Sequence, residues 1–266
     1  MSISVVIPAL NEEGNIGRLV RETFDVVPED ILTEVIVIDD ASTDGTRKEV
    51  TGLIGEYAKL RYLRHAARSG QSTAVRTGIL AARAPIIATM DGDGQNDPAD
   101  IPTLYESIGS PGSDGPALVG GIRETRRATG SRRWASTFAN RLRDWMLKDD
   151  CPDSGCGIKL YWRDAFLRLP FFTHMHRYMP ALFITYGHKV AYLPVNDRPR
   201  LEGTSKYTNL GRALVGVYDL FGVTWLRKRS IIPDIVDDQG QGRNIAEITD
   251  LSEIREMTKA GSADKE

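Results

Sequence analysis

An α/β fold with a mostly parallel sheet flanked by helices is predicted by two observations. Up to residue 109, short apolar runs alternate with stretches of helical spacing, and each connection is short. The polar pairs Asn11-Glu12, Asp39-Asp40 and Asp91-Gly92-Asp93 all fall where an apolar run ends. Ligands of parallel sheets bind beyond the carboxyl ends of the strands, so these three pairs should converge on one crevice.

The elements follow in order. Ile3–Ile7 reads as the first strand, and Ile16, Leu19, Val20, Phe24 and Val27 then recur at helical spacing. Glu34–Asp39 is the second strand, with a helix from about Thr46 to Tyr57 behind it. Leu60–Arg64 is the third, Ser72–Ala82 a helix, and Pro85–Met90 the central strand, closed by turn chemistry. Beyond residue 109, a loop at Pro111–Pro116 leads to a strand at Leu118–Ile122 and a helix over about Arg132–Leu147. A turn at Asp153–Gly157, a strand at Ile158–Tyr161, a helix near Tyr178–Tyr186 and a strand at Val190–Val195 complete the pattern. There is no internal repeat and no boundary before about residue 230, so residues 1–229 are expected to form one domain. Residues 230–266 read as a polar tail, partly disordered, with weak helical spacing near Ile245–Met257.

Thr208–Arg229 is amphipathic: Leu210, Leu214, Val217, Phe221 and Trp225 recur at steps of three or four, and Arg227-Lys228-Arg229 closes the run. Arg212 and Asp219 make it a poor membrane span. It fits an interfacial helix, or an ordinary helix packed on the core.

The chain has 266 residues and 41% hydrophobic content, enough for one full core or a core with appendages. Its net charge of −2 carries no signal for a nucleic-acid partner, and none is expected. Charge is nevertheless uneven: from Arg123 to Lys148 there are eight Lys/Arg against two acids, a solvated face or an anion site. Cys151 and Cys156 have no matching Cys or His pair at zinc spacing, and so little cysteine suits a reducing cytosol. No signal-peptide pattern opens the chain, and no apolar run reaches the 18 or more residues of a span.

The chemistry concentrates in Met90-Asp91-Gly92-Asp93-Gly94-Gln95-Asn96-Asp97-Pro98. Two carboxylates two residues apart at a strand end share a side, and the glycines admit close approach of a ligand. Such hard oxygens suit Mg²⁺ or Mn²⁺, completed by waters and substrate phosphates. The same residues also suit an acidic turn capping a helix begun at Pro98. A calcium loop is excluded, because its Gly and Glu positions hold Asn96 and Pro102. No Gly-x-Gly-x-x-Gly follows the first strand and no phosphate-loop motif occurs, so a nucleotide held by acids and a metal remains.

Five stretches taken together resemble the family-2 glycosyltransferases of the GT-A (Rossmann-like) fold, in the branch of polyprenyl-phosphate sugar synthases typified by dolichol-phosphate mannose synthase. They are Val6–Glu12, Val37–Thr46, Met90–Pro98, Asp153–Gly157 and Arg200–Tyr207, and the likeness spans about residues 3 to 229. The resemblance implies a metal-dependent enzyme that moves one sugar, with inversion, from a UDP- or GDP-sugar to a polyprenyl phosphate. It implies that Pro8, Glu12, Asp39 and Asp40 contact the donor's nucleoside, and that Asp91, Gly92, Asp93 and Gln95 hold the metal (Mg²⁺ or Mn²⁺) and diphosphate. Arg68 and Gln71 would lie near the donor. Arg123, Arg132, Ser136, Arg200 and Lys206 would grip the acceptor phosphate, and Arg200 is carried with the metal residues as catalytic. A phosphate monoester, with a second pKa near ~6, is already largely dianionic at neutral pH and needs no general base. Relatives that accept a hydroxyl usually carry a downstream acidic motif, and no Glu-Asp pair occurs after residue 30. Mannose, glucose and galacturonate are the sugars considered. Without spans, the protein would act as a peripheral enzyme on the cytoplasmic membrane face, with 208–229 as its interfacial helix. Transfer to a saccharide hydroxyl, or nucleotide-sugar binding without turnover, are the alternatives. Leu10 and Cys156 depart from the family pattern, standing where many relatives have aromatic residues.

Overall fold

A computed structural model of the chain describes residues 1–110, 114–123, 143–199 and 209–231. They include a seven-stranded sheet of order β3-β2-β1-β4-β6-β5-β7. Its strands are β1 (Ile3–Ala9), β2 (Leu32–Asp39), β3 (Leu60–Arg64), β4 (Ile86–Thr89), β5 (Leu118–Arg123), β6 (Lys159–Trp162) and β7 (Val190–Val195). The helices are α1 (Ile16–Val26), α2 (Thr46–Leu53), α3 (Gln71–Ala81), α4 (Ile101–Ser107), α5 (143–147), α6 (Arg163–Leu167), α7 (Met179–Thr185) and α8 (Asn209–Arg229).

Alternation along the strands builds two cores. Ile3, Val5, Ile7, Val35, Val37, Ile86 and Ala88 face one side, with Leu19 and Val20 of α1 and Val50 of α2. Val6, Ile36, Ile38 and Ile87 face the other, with Ala74, Val75 and Ile79 of α3 and Leu182 and Phe183 of α7. Successive strand residues point to opposite faces, so a near-continuous apolar run is what a sheet covered on both sides requires.

The expected parallel alternation is broken at one strand. β6 runs antiparallel to both β4 and β5, whereas β1 pairs parallel with β2 and β4, and β5 with β7. The reversal matters for the site, because it puts Lys159, the first residue of β6, opposite Thr89, the last of β4. α2 also stops four residues short of the expected Tyr57. Ile54 N–H closes a tighter turn on the Thr51 carbonyl, and Tyr57, outside the helix, stacks on Phe24 with ring centroids 4.4 Å apart. The α6 helix has only five residues, too few to show a period.

α8 packs by Leu220 and Val223, which are buried with the α7 side of the core. Arg227 Nε donates to Thr185 Oγ1 at 2.8 Å. No described helix is long and apolar enough to cross a membrane. The helix expected over Arg132–Leu147 is described only at its end, and most of the 230–266 tail lies outside the described residues.

Candidate active site

The carboxyl ends of β1 and β2 are stitched together by bonds between side chains and backbone. Asn11, at φ 52, turns the chain after β1, and Ala41, at φ 65, turns it after β2. The two turns then zip: Asn11 N–H donates to Ser42 Oγ at 2.9 Å, Thr43 N–H to Asn11 Oδ1 at 2.8 Å, and Glu12 N–H to Thr46 Oγ1 at 2.8 Å. Glu12 is thereby fixed at the sheet edge, where its Oε2 also accepts from Asn15 Nδ2 at 3.3 Å.

Asp39 and Asp40 are both buried, but differently used. Asp39 caps its own turn, accepting from Ser42 N–H at 2.7 Å and from the Tyr62 hydroxyl. Asp40 accepts from Ser69 N–H and Gly70 N–H, each at 2.8 Å, and pairs with His65 Nδ1 at 2.7 Å. Burial opposes its charge, yet the bonds from His65, Ser69 and Gly70 outweigh that cost and hold it below its ordinary value. The next residue after Gly70, Gln71, donates its Nε2 to Asp91 Oδ1 at 2.7 Å. The N-terminus of α3 thus bridges Asp40 and Asp91, with Gly70 at φ 89 making the turn.

The loop after β4 is tightly fitted. A Cβ on Gly92 would lie 2.9 Å from the Pro8 carbonyl oxygen, and one on Gly157 would lie 2.5 Å from the Asp91 carboxylate. Asp91 N–H donates to Asn96 Oδ1 at 3.0 Å, and Gln95 N–H to Asp93 Oδ1 at 3.1 Å. Asp97 caps the following turn through Ala99 N–H at 3.0 Å, as the helix-cap reading of this stretch expects. Capping therefore falls to Asp97, which leaves Asp91 and Asp93 for other work. Burial, and then repulsion from Asp93, push Asp91 above the ordinary carboxylate range, against the pull of Lys159, Arg123 and Gln71. A divalent cation would relieve both of the raising effects. Two carboxylates and one amide form a partial ligand set, and no group of three His, Cys, Asp or Glu suited to a metal occurs among the described residues. That set fits Mg²⁺ or Mn²⁺ taking its remaining oxygens from phosphate and water.

On the far side of Asp91, a cleft of ≈ 130 Å³ is lined by Pro8, Gln71, Gly157, Lys159, His176 and Arg177, among others. Beyond it, Arg123 at the end of β5 holds Asp153 in a bidentate pair, at 2.6 and 2.8 Å. The 196–198 segment is fastened to the 95–100 loop. Asn196 N–H donates to Asp100 Oδ2 at 2.9 Å, Arg198 N–H to the Gln95 carbonyl at 3.0 Å, and Arg198 Nη2 lies 2.6 Å from Asp97. Arg198 also reaches Glu22 of α1 at 2.8 Å. Arg132, Ser136, Arg200 and Lys206 lie outside the described residues.

Sequence reasoning missed His65, the Ser69–Gly70 amides, His176 and Lys159. Lys159 left a readable signal, a lone charge inside the apolar run Ile158-Lys159-Leu160-Tyr161. The others are brought in by loops from distant parts of the chain and carry no local pattern.

Fold and site together define a transferase architecture of the nucleotide-sugar type, and the comparisons with known proteins agree. The model of the glycosyl transferase family 2 matches residues 4–169. The chain belongs to that family, and it is a glycosyltransferase. It is 31% identical over 237 residues to the dodecaprenyl-phosphate galacturonate synthase of Rhizobium johnstonii, covering 88% of this chain and 69% of the relative. It is 30% identical over 247 residues to an undecaprenyl-phosphate 4-deoxy-4-formamido-L-arabinose transferase of Enterobacter sp., covering 88% and 72%. Among solved structures, glucosyl-3-phosphoglycerate synthase of Mycobacterium tuberculosis in complex with UDP superposes with a TM-score of 0.65 at 21% identity, over 88% of this chain and 81% of that one. That likeness speaks to the GT-A fold. The same enzyme has been crystallised with Mn²⁺ and UDP-glucose.

Proposed function

We propose that this glycosyltransferase moves a single sugar from a nucleotide-sugar to the phosphate of a polyprenyl phosphate, with inversion at the anomeric carbon. The single observation that carries the reading is the order of chemistry across the strand ends. Acids for a nucleoside (Glu12, Asp40) stand at β1 and β2, and the Asp91–Asp93 pair at β4. Arg123 follows at β5, in a chain related to two polyprenyl-phosphate sugar transferases.

Asp91, Asp93 and Gln95 would hold Mg²⁺ or Mn²⁺, which when bound neutralises charge on the leaving diphosphate. Pro8, Glu12, Asp39 and Asp40 would position the nucleoside, with Asp39 acting through the turn it caps. Arg123, Arg132, Ser136, Arg200 and Lys206 would hold the acceptor phosphate, for which guanidinium forks are geometrically suited, Arg123 by sharing or exchanging its pair with Asp153. An ionised phosphate oxygen attacks the anomeric carbon while the bond to the diphosphate breaks, so no general base is needed. Asp150 and Asp153 are the candidates for such a base, and Asp153 has its oxygens bonded to Arg123, which favours phosphate over hydroxyl as the nucleophile.

The enzyme would work as a peripheral protein on the cytoplasmic membrane face. Val217, Tyr218, Phe221 and Trp225 of α8 are exposed, at 48%, 81%, 62% and 62%, on the side away from buried Leu220 and Val223. An apolar and aromatic stripe ending in Arg227-Lys228-Arg229 suits insertion among anionic headgroups.

Arg200→Ala is the direct test of the acceptor site. It should lower transfer to polyprenyl phosphate by at least ~100-fold, the order expected when a charge-assisted phosphate contact of ~3 kcal/mol is lost. Metal-dependent UDP binding, followed by calorimetry, should change less than ~3-fold. Equal loss of both would remove Arg200 from the acceptor site.

A further inference from the structure

Lys159 belongs to no part of the chemistry described so far. The residue is only 5% exposed, yet it lines the cleft beside Asp91. Its ammonium donates to the Cys156 carbonyl, and among the described residues no carboxylate lies within ion-pair distance of it. An ammonium has three donors, and burying a charge with one neutral partner is costly. A fold that keeps such a group beside a cleft leaves two donors for an anion that arrives with the substrates.

Position narrows which anion. Lys159 opens β6 and pairs with Thr89, two residues before Asp91. β6 lies between β4, which carries the Asp91–Asp93 pair, and β5, which ends at Arg123. Neighbouring strands lie about 4.8 Å apart, so β6, which Lys159 opens, separates the strand that leads to the Asp91–Asp93 pair from the strand that ends at Arg123. Both Lys159 and Arg123 act electrostatically on Asp91, so the three share one field. Transfer brings two phosphates to opposite sides of one sugar carbon, and their charges repel. A cation between them is where relief of that repulsion is worth most.

We propose that Lys159 is a further catalytic residue of this site, whose ammonium binds a phosphate oxygen at the reacting centre. The proposal rests on the polyprenyl-phosphate reading above and adds a residue to it. The bonds made and broken are unchanged: a phosphate oxygen bonds to the anomeric carbon as the diphosphate leaves, and Lys159 keeps its protons throughout. The phosphate oxygen belongs to the acceptor or to the leaving diphosphate, and the two sources give different kinetics.

The test compares Lys159→Met and Lys159→Arg with the wild-type chain, once wild type has been shown to form lipid-linked sugar. Absence of wild-type product sinks the parent reading and not this one. Lys159→Met should lower kcat/KM by at least ~100-fold, with Lys159→Arg recovering to within ~10-fold because it keeps the charge. A raised KM for polyprenyl phosphate with intact UDP binding assigns the acceptor phosphate. Weakened UDP–metal binding assigns the diphosphate. If Lys159→Met does not fold, Lys159→Gln, which removes the charge but keeps a donor for the Cys156 carbonyl, carries the test with the same ~100-fold loss expected. Activity of Lys159→Met within ~3-fold of wild type overturns the proposal.

Discussion

Among single residues, Glu34 shows how structure hides behind an apolar pattern. It is 1% exposed inside β2 and accepts from Ser4 Oγ at 2.8 Å, Arg61 Nη1 at 2.5 Å and Arg83 N–H at 2.7 Å. Burial works against the charge, but the bonds from Arg61, Arg83 and Ser4 outweigh it and lower the Glu34 pKa. A lowered folded-state value means stability that is fully present above the unfolded carboxyl pKa of about 4.3 and is lost as pH falls through the folded value. Glu34→Ala should therefore cost on the order of 3 kcal/mol at neutral pH, because it leaves Arg61 without its buried partner. Urea unfolding of both proteins checks this, and the gap between them should narrow as pH falls below the unfolded carboxyl value. A gap that is constant with pH would mean the loss is one of packing. Nothing in the sequence marks Glu34 as paired, since Arg61 and Arg83 reach it from β3 and the α3–β4 connection. The carboxylates at 91 and 93 were legible because their spacing is local.

At the scale of elements, α8 carries the clearest division of labour. Its sequence leaves two readings open, interfacial or core-packed, and the structure shows one buried face and one exposed face. Leu220 and Val223 are buried, while Phe221 and Trp225 stand exposed beside them. Replacing both exposed aromatics by serine should reduce co-sedimentation with anionic vesicles by at least ~10-fold, since each large apolar side chain is worth about 1.5–3 kcal/mol when removed from water. UDP binding should be kept, as neither residue lines the candidate site. Unchanged sedimentation would move membrane docking to another surface. Strand positions were legible because apolar runs of four to eight residues leave few alternatives, and β3 and β7 begin and end where the pattern does. The direction of β6 was not, because a short strand carries no mark of its polarity. That reversal is also what brings Lys159 to the site.

Across the whole molecule, the strand order turns separate motifs into one line of sites. The order β2-β1-β4-β6-β5 sets Asp40, Glu12, the Asp91–Asp93 pair, buried Lys159 and Arg123 side by side, although they are far apart in the chain. The 196–198 segment is bonded to the loop after β4 through Arg198, Asp97 and the Gln95 carbonyl. The central claim is that this line ends at a lipid phosphate. The measurement that tests it most directly incubates the purified chain and Mg²⁺ or Mn²⁺ with a short polyprenyl phosphate and a panel of UDP- and GDP-sugars, UDP-galacturonate among them. Products are read by mass. The account predicts one polyprenyl-phosphate-linked sugar, dependent on metal. Sugar transferred to a saccharide hydroxyl, with no lipid-linked product from any donor, would contradict it.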